Sequence, residues 1–162
     1  LLRKFIACLA LLLLIVPTVD ANQKPRAEVL GLRLGMLEDE VRERLAKIGE
    51  QQKEERESEG EGEQEVWLLN PKLEKNLDYL VVKFDRNHRL HFIIAVARKD
   101  GHVRYADVLD LQKAKRVTDG SGRNFSFTWK IAAEGAQPAS QIVARGSDPQ
   151  YLTSYTIFRL NQ

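Results

Sequence analysis

Three histidines, His88, His91 and His102, together with Asp85, are the side chains best suited to hold a metal or carry a proton. The spacing His88-x-x-His91 sets two imidazoles close in sequence. Residues three apart on a strand point to opposite faces, so the pair converges only if His88 stands in a turn. Ser126, Ser147 and Ser154 fall in strand-like or turn-like contexts without the Gly-x-Ser-x-Gly elbow that exposes a nucleophile. Gly60-Glu61-Gly62 is flanked by carboxylates, which repel phosphate. No residue is therefore assigned as catalytic, no metal site or cofactor is expected, and the chain reads as nonenzymatic. The alternative is a small metal-dependent enzyme or ligand-binding protein built on Asp85, His88 and His91.

Lys113, Lys115 and Arg116, with Arg123 and Lys130 further on, form a second cluster with chemical potential. Val108, Leu111, Ala114 and Val117 recur at helical spacing across 107–117, which predicts a helix carrying those three cations on its outer side. Such a face is either simply solvated or docks an acidic partner.

The address of these residues comes from positions 1–21. Arg3 and Lys4 precede a twelve-residue apolar run, Phe5 to Val16, that ends in Val19-Asp20-Ala21. This is the pattern of a secretory signal peptide with cleavage before Asn22, and the run is short of the roughly 18 residues that span a bilayer. The sole cysteine, Cys8, sits near the start of that run rather than just after it, so neither a lipid anchor nor a disulfide is expected. A periplasmic or secreted location follows, and export argues against a nucleic-acid partner. The 141 residues from 22 to 162 are enough for one domain with a conventional core.

Removing Arg3, Lys4 and Asp20 takes the formal net charge from +2 to +1. Residues 50–65, EQQKEERESEGEGEQE, hold eight glutamates against Lys53 and Arg56. That stretch has almost no apolar surface to offset its ordering entropy, so it is expected to be a disordered acidic loop in an otherwise basic body. It serves either as a linker or as an intramolecular mask for the basic surface.

Around the loop, hydrophobic spacing predicts the elements. Leu30, Leu32 and Leu34 alternate as a short strand, and Leu37, Val41, Leu45 and Ile48 form one helical stripe that begins with Glu38, Asp39 and Glu40 and stops at Gly49. Val66 to Leu69 is a strand bearing Trp67. Tyr79 to Phe84 and Arg89 to Ala97 flank Asp85-Arg86-Asn87-His88 as a hairpin. Strict alternation puts Leu80, Val82 and Phe84 with Leu90, Phe92, Ile94 and Val96 against the helix. It leaves Tyr79, Val81, His91 and Ile93 on a face more apolar than solvation requires. Further strands are expected at Asn124 to Ile131, Gln141 to Arg145 and Leu152 to Leu160. The fold class expected is α+β: an antiparallel sheet with helices packed on one face, its spacing suggesting two tandem repeats of a helix plus three strands.

The segment LRLGMLEDEVRERLAKIG, residues 32–49, with the Trp-bearing strand and the hairpin LVVKFDRNHRLHFI, resembles two kinds of bacterial envelope domain. These are the small outer-membrane assembly lipoproteins (SmpA/OmlA) and the secreted beta-lactamase inhibitor proteins. Leu37 stands where those families carry a Thr or Ser helix cap, and the lipidated cysteine is missing. The resemblance implies helices paired with an antiparallel sheet and action by binding other proteins. The chain is thus expected to be an exported protein-binding module, of scaffold or enzyme-inhibitor type, with an envelope or secreted protein as partner and no stable membrane anchor. Tyr79, Val81, His91 and Ile93 are its candidate contact residues, and Lys113, Lys115 and Arg116 its candidate basic surface.

Overall fold

Backbone pairing between strands, rather than helix packing, organises the described residues of this chain. The computed structural model describes residues 27–52, 64–118 and 120–160. Its elements are β1 (Glu28–Val29), β2 (Leu32–Arg33), α1 (Glu38–Ala46), β3 (Gly49–Gln52), β4 (Gln64–Leu69), β5 (Leu77–Phe84), β6 (Leu90–Ala97), α2 (Tyr105–Val108), β7 (Lys115–Thr118), β8 (Phe125–Ile131), β9 (Ser140–Gly146) and β10 (Ser154–Arg159). β1 and β2 form a small hairpin, and the other eight strands make one antiparallel sheet in the order β3-β4-β5-β6-β10-β9-β8-β7. Two four-stranded meanders, β3 to β6 and β7 to β10, thus meet along their last strands.

This corrects the expected α+β class. Among the described residues the protein is mostly β, with two short helices, and each half contributes four strands rather than a helix and three. The helix expected over 107–117 is absent. α2 is a single turn, and Asp110 then opens a tight turn, its carboxylate accepting the Gln112 amide and its carbonyl the Lys113 and Ala114 amides. Lys115–Thr118 leave that turn as an edge strand on β8. Their apolar spacing fits a helix, but Val117 and Thr118 are β-branched, and a vacant sheet edge satisfies four residues of backbone at once.

α1 holds closer to expectation. Glu38, Asp39 and Glu40 occupy its first turn and Arg44 its last, and Val41 and Leu45 are fully buried against the sheet. Leu37 offers no side-chain cap; instead the Glu38 amide donates to the carbonyl of His88, which ties the helix start to the β5–β6 turn. Gly49 does not end the helix as a left-handed residue. It opens β3 opposite Leu69, where a Cβ would stand 2.5 Å from the Leu68 carbonyl oxygen.

The residues expected to be a disordered acidic loop enter the sheet at both ends. Gly49–Gln52 pairs with β4, and Gln64 and Glu65 belong to β4 itself. Residues 53–63, like the signal-type segment 1–21, lie outside the described residues.

One irregularity decides which face of the sheet is the core. Lys83 pairs with Phe92 but Phe84 pairs with Leu90, so His91 is an extra residue in β6. A side-chain period of two cannot survive one inserted residue, and β6 changes phase there. Leu90, Ile93 and Ala95 are buried beneath α1 and the β1–β2 hairpin, with Leu80, Val82 and Phe84 opposite them. Phe92, Ile94 and Val96 face the other way. Ile93, expected on the exposed face, is 0% exposed, because strict alternation was carried through the bulge.

Two buried tyrosines complete the core. Tyr105 packs its ring at 4.6 Å from Phe127, and its hydroxyl has no hydrogen-bond partner among the described residues. Gly146 must be glycine beneath it, since a Cβ there would lie 2.6 Å from that hydroxyl. Burial pushes the pKa of Tyr105 up, the charge of Asp148 adds to this and Arg116 opposes it; burial, with Glu74, raises Tyr155 as well. A phenol whose folded pKa is raised contributes stability that is complete below its unfolded value of about 10 and disappears as pH rises through the folded value. Alkaline titration followed by tyrosinate absorbance and circular dichroism should therefore show Tyr105 and Tyr155 ionising only as the sheet unfolds. Replacing Tyr105 by Phe removes an unsatisfied hydroxyl and should leave stability in urea unchanged or higher by up to about 1 kcal/mol.

Candidate functional site

Cross-strand register turns the sheet face opposite α1 into three rows. The first runs Gln52, Val66, Val81, Ile94, Thr156, Val143, Thr128, Lys115. The second runs Glu50, Leu68, Tyr79, Val96, Ser154, Arg145, Ser126, Val117, and the third Gln64, Lys83, Phe92, Phe158, Gln141, Lys130. No residue in these rows is buried, whereas the α1 side of the same strands is packed. Strands β4 to β6 give the open face an apolar half, and strands β7 to β9 a half of hydroxyls and cations. Lys115, Lys130 and Arg145 have no acidic partner within ion-pair distance among the described residues.

The structure distributes the expected contact residues unevenly. Tyr79 and Val81 stand half-buried on the open face, as expected. Ile93 is in the core, and Ile94, beside it in sequence, takes the open position. His91 sits at the bulge, at the end of the sheet. The basic trio separates. Lys113 pairs with Asp110 at 3.4 Å in the turn, and Lys115 joins the open face. Arg116, one residue on along the strand, lies on the opposite side with its guanidinium 5.0 Å from the Phe125 ring. Alternation along β7 puts Lys115 and Arg116 on opposite faces, and Lys113 is engaged in the turn before the strand, so the three do not form one basic patch.

Asp85, His88 and His91 do not form a common ligand set. Asp85 uses Oδ1 to accept the amides of Asn87 and Arg89, which shapes the turn. His88, at φ 55°, brings Nδ1 within 2.6 Å of Glu38 Oε2, while His91 lines a separate cleft. No group of three or more His, Cys, Asp or Glu residues among the described residues is arranged to hold a metal ion.

Sequence reasoning missed the ionic cluster that fastens α1 to the sheet. Glu65 is only 2% exposed, in the row of the core that holds Val82 and Ile93. Its Oε2 accepts the Trp67 indole N–H at 2.8 Å, and its Oε1 lies 2.6 Å from Arg42 Nε. Arg42 Nη2 also stands 2.5 Å from Glu38 Oε1, four residues back on the helix, and the guanidinium lies 5.9 Å from the Phe84 ring. Two buried carboxylates thus share one guanidinium, and the His88 imidazole approaches the outer one. The available signal was Glu65 at an inward position, two residues before a tryptophan.

Searches against protein-family models, curated proteins and solved structures returned no match to this chain.

Arg42→Ala leaves Glu65 buried without its cation and should cost about 3 kcal/mol, measured by urea unfolding. Adding Glu65→Gln, which removes the stranded charge, should recover a large part of that loss.

Proposed function

We propose that this chain is an exported, nonenzymatic protein-binding module of the bacterial cell envelope, of scaffold or enzyme-inhibitor type, and that the open sheet face is its contact surface. The observation that carries this reading is the apolar half of that face. Val66, Leu68, Tyr79, Val81, Phe92, Ile94 and Val96 form a contiguous patch that no described element covers. Eight strands at about 4.8 Å spacing and three rows of side chains give a footprint of roughly 600–700 Å². That approaches the roughly 800 Å² per partner of a standard interface. Lys115, Lys130 and Arg145, without ion-pair partners among the described residues and across β10 from the patch on the same face, favour a partner whose apolar ridge is flanked by carboxylates, a pairing that speeds encounter and fixes register. The signal-type pattern of residues 1–21 supports a periplasmic or secreted location.

The bulge supplies a sharp test, because Ile93 and Ile94 are neighbours with opposite surroundings. Ile94→Glu should fold, with a melting temperature within a few degrees of the parent, and should lose partner capture from envelope extract. Ile93→Glu buries a carboxylate without a partner and should unfold the protein. Unfolding by Ile94→Glu, or retention of the same proteins by parent and Ile94→Glu, would overturn the reading.

A further inference from the structure

At the end of the sheet, one residue beyond Phe92 and Phe158 of the third row, the β5–β6 turn, the end of β10 and the loop 133–139 border a cleft of about 670 Å³. That volume falls within the range of small-molecule sites. Asp85, His91, Gln137 and Arg159 bring polar groups to its wall. His91 is the inserted residue of the bulge, and continuing the register of β6 and β10 past Phe92 and Phe158 sets it across from Arg159. Bulges re-aim side chains at sheet ends, and here the inserted residue lines the same cleft as Arg159.

Neither the His91 nor the Arg159 side chain has a hydrogen-bond or ion-pair partner among the described residues. With no acid within ion-pair distance of either among the described residues, an anion entering the cleft meets two unengaged donor groups. Among the described residues, Asp85 is the only carboxylate that lines the cleft. Its Oδ1 is saturated by two backbone amides, which leaves Oδ2 to accept from a ligand.

We propose that this cleft binds a small carboxylate that also carries a hydroxyl or amino group, with the carboxylate held by Arg159 and His91 and the donor group by Asp85. The guanidinium fork matches a planar carboxylate through two parallel N–H···O bonds, and the imidazole N–H adds a third donor. A ligand bearing a second negative charge meets the Asp85 carboxylate, which selects against phosphate and against dicarboxylates. The site is independent of the open-face reading, and either can fail alone.

The test is a heteronuclear NMR titration of the protein with lactate, with propionate as its hydroxyl-free counterpart, and with inorganic phosphate. Lactate should give saturable shifts at the amides of His91, Gly135, Ala136 and Arg159, and propionate should bind about tenfold more weakly for want of one hydrogen bond. Arg159→Gln, at an exposed position, should abolish saturation without changing the melting temperature. Asp85→Asn keeps a side-chain oxygen for the turn and should bring lactate down to the level of propionate. The proposal is overturned by unsaturable shifts with lactate, by phosphate or propionate binding as tightly as lactate, or by undiminished binding in Arg159→Gln.

Discussion

A single extra residue in β6 governs the rest of this molecule. Because His91 has no counterpart in β5, the strand reverses its facing between Leu90 and Phe92. Leu90 and Ile93 both reach the core although they are three apart. Without the bulge, either Leu90 or the pair Ile93 and Ala95 would leave the side on which α1 packs. Three outward residues, Phe92, Ile94 and Val96, continue the apolar half of the open face across the middle of the sheet. The same insertion frees His91 from both faces and directs it to the cleft shared with Arg159. Core, open face and cleft are thus consequences of one register change.

The covered side is held by a different kind of force. Hydrophobic burial under α1 is non-directional, and a nine-residue helix is too short to be stable by itself. The Glu38–Arg42–Glu65–Trp67 cluster adds direction, because each carboxylate oxygen of Glu65 has one donor: Arg42 on the helix and the Trp67 indole on its own strand. Desolvating Glu65 costs free energy that these contacts largely offset, so the cluster fixes where α1 sits more than how strongly it is held. The His88 carbonyl, accepting the first helical amide, fixes the helix at its other end to the β5–β6 turn. The bulge and the helix anchor are therefore built on one hairpin.

Strand positions were legible in the sequence because alternation of large apolar residues is a local signal. Phe125, Phe127, Trp129 and Ile131 do share the core side of β8, and Asp85 to His88 do lie in the β5–β6 connection, which runs one residue further to Arg89. Class and facing were not legible. Residues 107–117 match helical spacing, yet their state was decided by an unpaired edge on β8, a partner distant in the chain. Phase beyond residue 90 depended on the pairing of β5 with β6, which no single strand encodes. Glu65 read as part of a solvated acidic run because composition averages over neighbours, whereas its burial follows from its parity with Trp67 and Leu69 on β4. Of the candidate contact residues, Tyr79 and Val81 kept their places because they precede the bulge, and Ile93 lost its place because it follows.

An exposed apolar sheet face invites pairing with any other chain, and the edges of this sheet limit that danger. β3 and β7, the outer strands, are four residues each and carry Glu50, Lys115 and Arg116. Short, charged edges offer little template for adding strands end to end. On the open face the apolar patch lies over β4 to β6, inside the sheet, and grades through Thr156 and Thr128 into Lys115, Lys130 and Arg145. A second copy laid over it in the same orientation would set these cations against one another, whereas a partner with carboxylates in those places neutralises them. If the open face is the contact surface proposed above, the same charges that discourage self-association would also discriminate among partners.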